Sequence, residues 1–213
     1  MIVVKVGGSL FDSPALGPAL RAYLDALAPA EVLLVPGGGP VADAVRALDR
    51  THALGEEAAH WLALRSLSVT AALLERLMRR PTPPAPLPKG KGEQEPLAGA
   101  RDVERSDTSC SPFPLGRGAG GVGVLDCFAF ALEDESREGK LPHTWAVTTD
   151  SIAARAAVVF RAEKLVLLKS VDVPPGTPPE AAAAMGWVDA HFPEVFATLA
   201  CPVEVVNFRL RLG

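Results

Sequence analysis

Four apolar runs in this chain end in residues able to handle negative charge. The run that starts at Met1 meets Gly7-Gly8-Ser9, and the run from Val32 meets Pro36-Gly37-Gly38-Gly39. The run from Trp145 meets Thr148-Thr149-Asp150-Ser151, and the run from Lys164 ends in Lys169-Ser170 with Asp172 just beyond. Glycine turns leave backbone N–H groups bare for an anion, and a helix N-terminus adds the positive end of its dipole. Lys5 and Lys169 add two ammonium groups, and Asp150 adds a carboxylate at a helix start. Phosphoryl transfer needs that inventory, because its charge spreads over the transferring oxygens and catalysis is mostly positioning plus electrostatic stabilisation. In that role Lys5 bridges the transferring phosphate, while Asp150 orients the lysines and helps hold magnesium through water. Plainer uses stay open: Lys5 as an exposed lysine beside a tight turn, Asp150 as the N-cap of the next helix.

The elements that would carry these clusters follow from periodicity. Met1–Val6, apolar except for Lys5, and the continuous apolar run Val32–Val35 are of the kind buried in parallel sheets. A helical stripe at Leu16, Leu20, Tyr23, Leu24 and Leu27 follows the first, with Ser13 as its N-cap and Pro14 as its first residue. A second helix fits Val41–Leu48. Two strand–glycine turn–helix units in succession predict parallel strands, whose ligands bind beyond the carboxyl ends. A longer helix spans about 55–78, with Leu62, Leu64, Leu67, Val69, Leu73, Leu74 and Leu77 as its buried surface. From Pro81 to Gly121 eight prolines and seven glycines stand among few large apolar residues, which predicts a mobile insertion over 81–121. Its Gly116–Gly121 cluster has neither a preceding strand nor a following helix, so a phosphate loop is not expected there. Further strands are expected at Val122–Leu125, at Trp145–Thr148 leading into a helix through Phe160, at Lys164–Lys169 and at Val203–Val206. A short apolar element fits Cys127–Leu132, and a last helix fits about 189–199.

Length and composition bound the classes. The 213 residues, 48% hydrophobic and 22% charged, suit one domain over 1–213 with a sizeable core. A net charge of −4 gives no reason to expect a nucleic-acid partner. No apolar run approaches the roughly 18 residues that cross a bilayer, so no membrane partner is expected. Lys5 and the glycines come too early for the core of a signal peptide. Cys110, Cys127 and Cys201 are odd in number and lack CxxC spacing, which points to reduced thiols and a cytoplasmic protein. The chain contains neither GxxxxGK[ST] nor GxGxxG with its acidic partner, which argues against a P-loop NTPase and a dinucleotide enzyme.

Val4-Lys-Val-Gly-Gly-Ser9, Val35-Pro-Gly-Gly-Gly39 and Thr149-Asp-Ser-Ile-Ala-Ala154, taken in order, resemble the amino acid kinase superfamily. That group includes acetylglutamate, uridylate, aspartate and isopentenyl phosphate kinases. The resemblance covers the chain outside the insertion. It implies an α/β fold, a three-layer αβα sandwich with a mostly parallel central sheet. Within the group, His60-Trp61, Trp145–Ser151 and Val188–Pro193 resemble the (aminomethyl)furanmethanol phosphate kinase of methanofuran biosynthesis, an enzyme of one-carbon metabolism.

The resemblance implies ATP and Mg²⁺ as cofactors, a small-molecule phosphate as substrate, and a homo-oligomer. Lys5, Gly7, Gly8 and Ser9 would contact the ATP phosphates. Thr149, Lys169, Ser170 and Asp172 would lie beside the nucleotide. Gly37, Gly38 and Gly39 would cradle the acceptor phosphate and the transferring group, with Lys5 and Asp150 as the catalytic pair. Arg46 is a candidate for the acceptor phosphate, or else a residue of a solvated helix face. His60 would bind the acceptor or its phosphate, a neutral imidazole being able to donate, or else it is a partly buried helix residue. Two departures stand out. Lys169-Ser-Val-Asp-Val173 replaces the family's Thr-Asp-Val-Asp-Gly, and the later loop with a second phosphate-binding lysine is not recognisable, a charge Lys169 could supply. The expected activity is phosphorylation of a phosphate monoester to a diphosphate, with (aminomethyl)furanmethyl phosphate as acceptor. Alternatives are a kinase for a carboxylate or amino acid acceptor, and a non-catalytic nucleotide-binding regulatory protein.

Overall fold

The computed structural model describes residues 1–79, 115–117 and 121–213. Among these residues six strands form one sheet, in the spatial order β3 (Leu115–Arg117), β4 (Val122–Leu125), β2 (Val32–Pro36), β1 (Ile2–Val6), β5 (Lys164–Lys169) and β6 (Val203–Asn207). Five of them are parallel, and β3 runs antiparallel to β4 at one edge. The helices are α1 (Leu16–Asp25), α2 (Gly39–His52), α3 (Glu56–Met78), α4 (Cys127–Asp134), α5 (Thr149–Val159), α6 (Pro179–Ala184) and α7 (Phe192–Phe196).

The sheet is apolar on both faces, which is why its strands read as unbroken apolar runs. Val3, Leu33, Leu165 and Leu167 pack on one side with Leu64, Phe130, Ile152 and Phe192. Val4, Val6, Leu34, Val166 and Leu168 pack on the other with Leu16, Leu20, Leu74 and Phe208. This is the expected α/β sandwich. Val3, Val4 and Val6 are fully buried in β1, and three such side chains contribute roughly 5–9 kcal/mol. That burial offsets the desolvation of Lys5, the one charged residue placed among them. Among the described residues no helix is long and apolar enough to cross a membrane.

Several local expectations are corrected. Ser13 does not cap α1: residues 8–12 first form a 3-10 turn that buries Leu10, and α1 begins at Leu16. Ser13 Oγ instead accepts from the Ala15 amide at 3.3 Å. Residues 145–148 form no strand: 145–146 make a turn and 147–148 lead irregularly into α5. The Val147 amide closes that turn on the Thr144 carbonyl. On α3, Leu62, Val69 and Leu73 are 43%, 58% and 41% exposed, since the helix carries more apolar residues than its contact face can bury. Most of the expected 81–121 insertion lies outside the described residues. Leu115–Arg117, however, forms an edge strand, so a strand does precede part of that glycine cluster. The last expected helix shortens to α7, and α6 was not foreseen. Cys127 is buried and Cys201 half-buried, and both are free thiols.

Candidate functional site

Side chains two residues apart on a strand share a face, so Lys5 points to the same side of the sheet as Val3. Lys5 is in register with Leu167 of β5, which places Lys169 on that face too, one pleat nearer the carboxyl end. The first turn of α5 stands over both. Lys5 Nζ lies 2.8 Å from Asp150 Oδ1, and Lys169 Nζ lies 2.7 and 2.6 Å from its Oδ1 and Oδ2. All three side chains are buried, at 5%, 4% and 9% exposure for Lys5, Asp150 and Lys169. Burial alone would raise the Asp150 pKa, but the two ammonium groups outweigh it and hold the carboxyl below its ordinary value. Burial, reinforced by the nearby charge of Lys5, pushes Lys169 down to about 8 despite the Asp150 carboxylate. Two cations on one carboxylate leave a net positive charge under the strand ends.

Asp150 is therefore not the helix cap. Thr148 occupies that position, and the capping carboxylate comes from Asp189, thirty-eight residues beyond Ser151. Asp189 Oδ2 accepts from the Thr148 amide at 3.0 Å, the Thr148 hydroxyl at 2.8 Å and the Ser151 amide at 2.9 Å. Its Oδ1 accepts from the Ser151 hydroxyl. With the Ser151 amide of the helix start satisfied from outside, Asp150 is released to the lysines. No local pattern reveals Asp189, because its role depends on a fold contact rather than on spacing.

The two glycine turns meet backbone to backbone. A Cβ on Gly37 would stand 2.3 Å from the Gly8 amide nitrogen, and one on Gly8 would stand 2.4 Å from the Gly39 nitrogen. Gly39 also has φ +53°, a conformation open to glycine. The amides divide into two sets. Gly7 N–H donates to the Leu168 carbonyl at 2.9 Å and Gly37 N–H to the Val6 carbonyl at 2.8 Å, so the sheet uses both. Their expected role as anion donors is corrected on that ground. The amides of Gly8, Gly38 and Gly39 have no protein partner among the described residues.

A cavity of about 150 Å³ opens beside these amides. Gly8, Gly38, Gly39, Thr148 and Thr149 form its polar wall, and Ala42, Leu64, Leu67, Val147 and Ile152 its apolar one. Arg46, His60 and Trp145 complete the lining. Arg46 is held by Asp43 Oδ1 at 2.9 Å and lies 5.0 Å from the centre of the Trp145 ring. Trp145 is fixed in turn by its Nε1–H, which donates to Asp49 Oδ2 at 2.8 Å. His60 is 6% exposed, and its Nδ1 lies 3.3 Å from the Thr144 carbonyl. A carbonyl only accepts, so Nδ1 carries the proton and the neutral ring keeps no N–H for a phosphate. Donation from a neutral His60 is thereby corrected. Burial lowers the His60 pKa, against the Thr144 carbonyl, which raises it.

Lys5, Asp150 and Lys169 are not in the cavity wall, although Thr149, the neighbour of Asp150, is. Ser9 Oγ donates to Ser170 Oγ at 2.8 Å, joining the ends of β1 and β5. Asp172 sits further out and accepts from Asn207 Nδ2 at 2.9 Å. Arg209 ties the first turn down, donating to both Asp12 carboxylate oxygens and to the Ser9 carbonyl. The expected residues thus separate into a buried charged trio, a cavity group (Gly8, Gly38, Gly39, Arg46, His60, Thr149) and an outer group (Ser9, Ser170, Asp172). Trp145 and the apolar wall were not identified as site residues, although Trp145 belongs to a quoted motif. Their apolar types are indistinguishable from core in a sequence.

Residues 1–173 match the model of the amino acid kinase family. Among solved structures, the uridylate kinase from Archaeoglobus fulgidus is similar in fold, with a TM-score of 0.59 at 15% identity. The match covers 96% of this chain and 89% of that one. No curated protein matches the sequence.

Proposed function

The chain belongs to the amino acid kinase family, and from that premise we propose that it transfers the γ-phosphoryl group of ATP to a phosphate monoester, giving ADP and a diphosphate. Family membership supports a small-molecule phosphotransferase. The finer assignment rests mainly on one observation: a single guanidinium, Arg46, at a cavity with one apolar wall and one polar wall that carries the Gly38–Gly39 amides. A phosphate held by Arg46 leaves a small apolar body against Leu64, Leu67 and Trp145. (Aminomethyl)furanmethyl phosphate, the acceptor implied by the motif resemblance, has that shape.

In this mechanism an oxygen of the acceptor phosphate attacks the γ-phosphorus and the bond to the β–γ bridging oxygen breaks. Lys5 and Lys169 neutralise the charge that spreads over the transferring oxygens, and the Gly8, Gly38 and Gly39 amides hold them in line. Asp150 keeps the two ammonium groups in place. Magnesium, carried on the nucleotide phosphates, would supply further charge neutralisation. Both Asp150 oxygens are engaged by lysines, so its contribution is to the lysines rather than to the metal. Lys169 stands in for the lysine of the unrecognised loop. A buried ion triad is weak evidence for stability, so its place at the strand ends favours a phosphate site over a purely structural one.

The test is ADP release by the purified protein with Mg-ATP, supplied in turn with (aminomethyl)furanmethyl phosphate, isopentenyl phosphate, UMP and glutamate. Turnover with a phosphate monoester, highest with the furan, is expected. Turnover with glutamate alone, or with none of the four, would overturn the proposal.

A pH dependence follows from Lys169. Below about pH 8 its ammonium is present, and above that it loses its proton in the free protein. Phosphate binding favours the charged form, so ATP should take up a proton when it binds at pH 8–9. Calorimetry in buffers of different ionisation enthalpy reads that uptake, and kcat/KM should fall above about pH 8. ATP binding without proton uptake at pH 8.5 would remove Lys169 from the phosphate site.

A further inference from the structure

His60 lies in the cavity wall with one nitrogen committed. Its Nδ1–H donates to the Thr144 carbonyl at 3.3 Å, and its ring stacks on His143 with centroids 5.3 Å apart and planes 23° from parallel. His143 is itself fixed, with Nε2 2.7 Å from Glu135 Oε1 and Nδ1 3.3 Å from Glu57 Oε1. Trp61 closes the group edge-on, with centroids 6.0 Å from His60 and 4.9 Å from His143. A flip of the His60 ring would keep its plane and the stack but put a carbon in place of Nδ1 and lose the Thr144 bond. Its second nitrogen, Nε2, has no protein partner, yet no buried side-chain nitrogen or oxygen among the described residues is left unsatisfied. Nε2 is thus an open, lone-pair acceptor. Most other polar groups around the acceptor cavity act differently: Arg46 and the glycine amides donate only, while the Thr148 hydroxyl gives its proton to Asp189 and the Thr149 hydroxyl can serve either way.

We propose that His60 Nε2 is a specificity element that accepts a hydrogen bond from the acceptor substrate, which must carry an ammonium or hydroxyl donor at the end away from its phosphate. This rests on the phosphate-monoester function above. The donors and the acceptor divide the cavity between two ends of one small molecule. Arg46 and the amides take the anionic end, and His60 takes the donor end. An acceptor lacking the donor leaves Nε2 buried under an apolar group without a partner, which is the arrangement that rejects an analogue most strongly. A second phosphate or carboxylate at that end would meet the lone pair and be repelled.

Two probes of one shape decide it: (aminomethyl)furanmethyl phosphate and the analogue with a methyl group in place of the ammonium. Calorimetric binding to the full chain is expected to favour the ammonium compound by about 100-fold. His60→Phe, which keeps an aromatic ring for the stack, should reduce that preference to a few-fold by weakening the ammonium compound. His60→Gln, whose side-chain oxygen can accept, should recover part of it if the Phe variant folds poorly. Equal binding of the two probes by the wild type, or a preference that survives in His60→Phe, overturns the proposal. ADP release measured alongside separates the two ideas. Discrimination in binding without turnover of either phosphate would leave His60 as assigned and refute the kinase function, whereas turnover of both with equal affinity would do the reverse.

Discussion

Lys5→Met should lower kcat about 1,000-fold while leaving most of the folding stability in place. The lysine lies 2.8 Å from Asp150 at the carboxyl end of β1, where a transferring phosphate would reach it beside the Gly8 amide. A fixed cation that meets charge as it develops contributes about 10²–10³ or more to the rate. Its structural share is smaller. Methionine nearly preserves the volume of the stem among Val3, Val35 and Leu167, and Asp150 keeps Lys169 at 2.6 Å. Losing one of two partners should therefore cost about 1–2 kcal/mol, which lowers the melting temperature of a chain this long by roughly 2–8 °C. Removing a neighbouring positive charge should also let the Lys169 pKa rise from about 8, because Lys5 is one of the causes that lower it. Measured kcat, melting temperature and the pH at which kcat/KM falls make three independent readings. A folded Lys5→Met protein with near-normal kcat would show that the lysine is a strand residue with a buried partner and nothing more.

Much of this was legible in the sequence, for identifiable reasons. β1, β2, β4 and β5 carry side chains buried on both faces, so each appears as an unbroken apolar run bounded by glycine or charge. The glycines at 8, 38 and 39 are legible for a related reason: the close meeting of two turns leaves no room for a Cβ. Lys5, Asp150 and Lys169 stood out as charges at the ends of apolar elements. What escaped depends on contacts between distant segments. Asp189 caps a helix whose first residue lies forty positions earlier. Gly7 and Gly37 look like free donors until the sheet register shows their amides spent on Leu168 and Val6. Residues 145–148 have the composition of a strand, yet they form a turn and the irregular lead-in to α5, and tertiary context overrides propensity there. His60 needed the Thr144 carbonyl to settle which nitrogen carries its proton.

Asp150→Asn should be the most damaging single substitution in stability, and its defect should be repaired in part by polyphosphate. The carboxylate is the shared counter-charge of Lys5 and Lys169, and all three residues are buried. Asparagine fills the same space but carries no charge, so two buried ammonium groups would face each other across a neutral amide. Breaking a buried ion pair by removing one partner costs about 3–5 kcal/mol, which amounts to a fall of roughly 6–20 °C in melting temperature. Lys169, already depressed to about 8, is the group that would shed its proton to relieve the repulsion, so the destabilisation should shrink as pH rises from 7 to 9. The wild type has its own dependence at low pH: its Asp150 pKa is lowered, so that contribution is present above the ordinary carboxylate pKa and is lost as pH falls below it. If the lysines form a phosphate site, an added polyanion supplies the missing charge. ATP or pyrophosphate at a fixed concentration should then raise the melting temperature of Asp150→Asn more than that of the wild type, through binding to the folded state alone. A purely structural triad predicts the same initial loss with no such extra recovery, because its lysines would not be accessible to the anion. Thermal melts of the two proteins with and without pyrophosphate at pH 7 and 9 therefore separate a phosphate site from a buried salt bridge, and they do so without requiring the acceptor to be known.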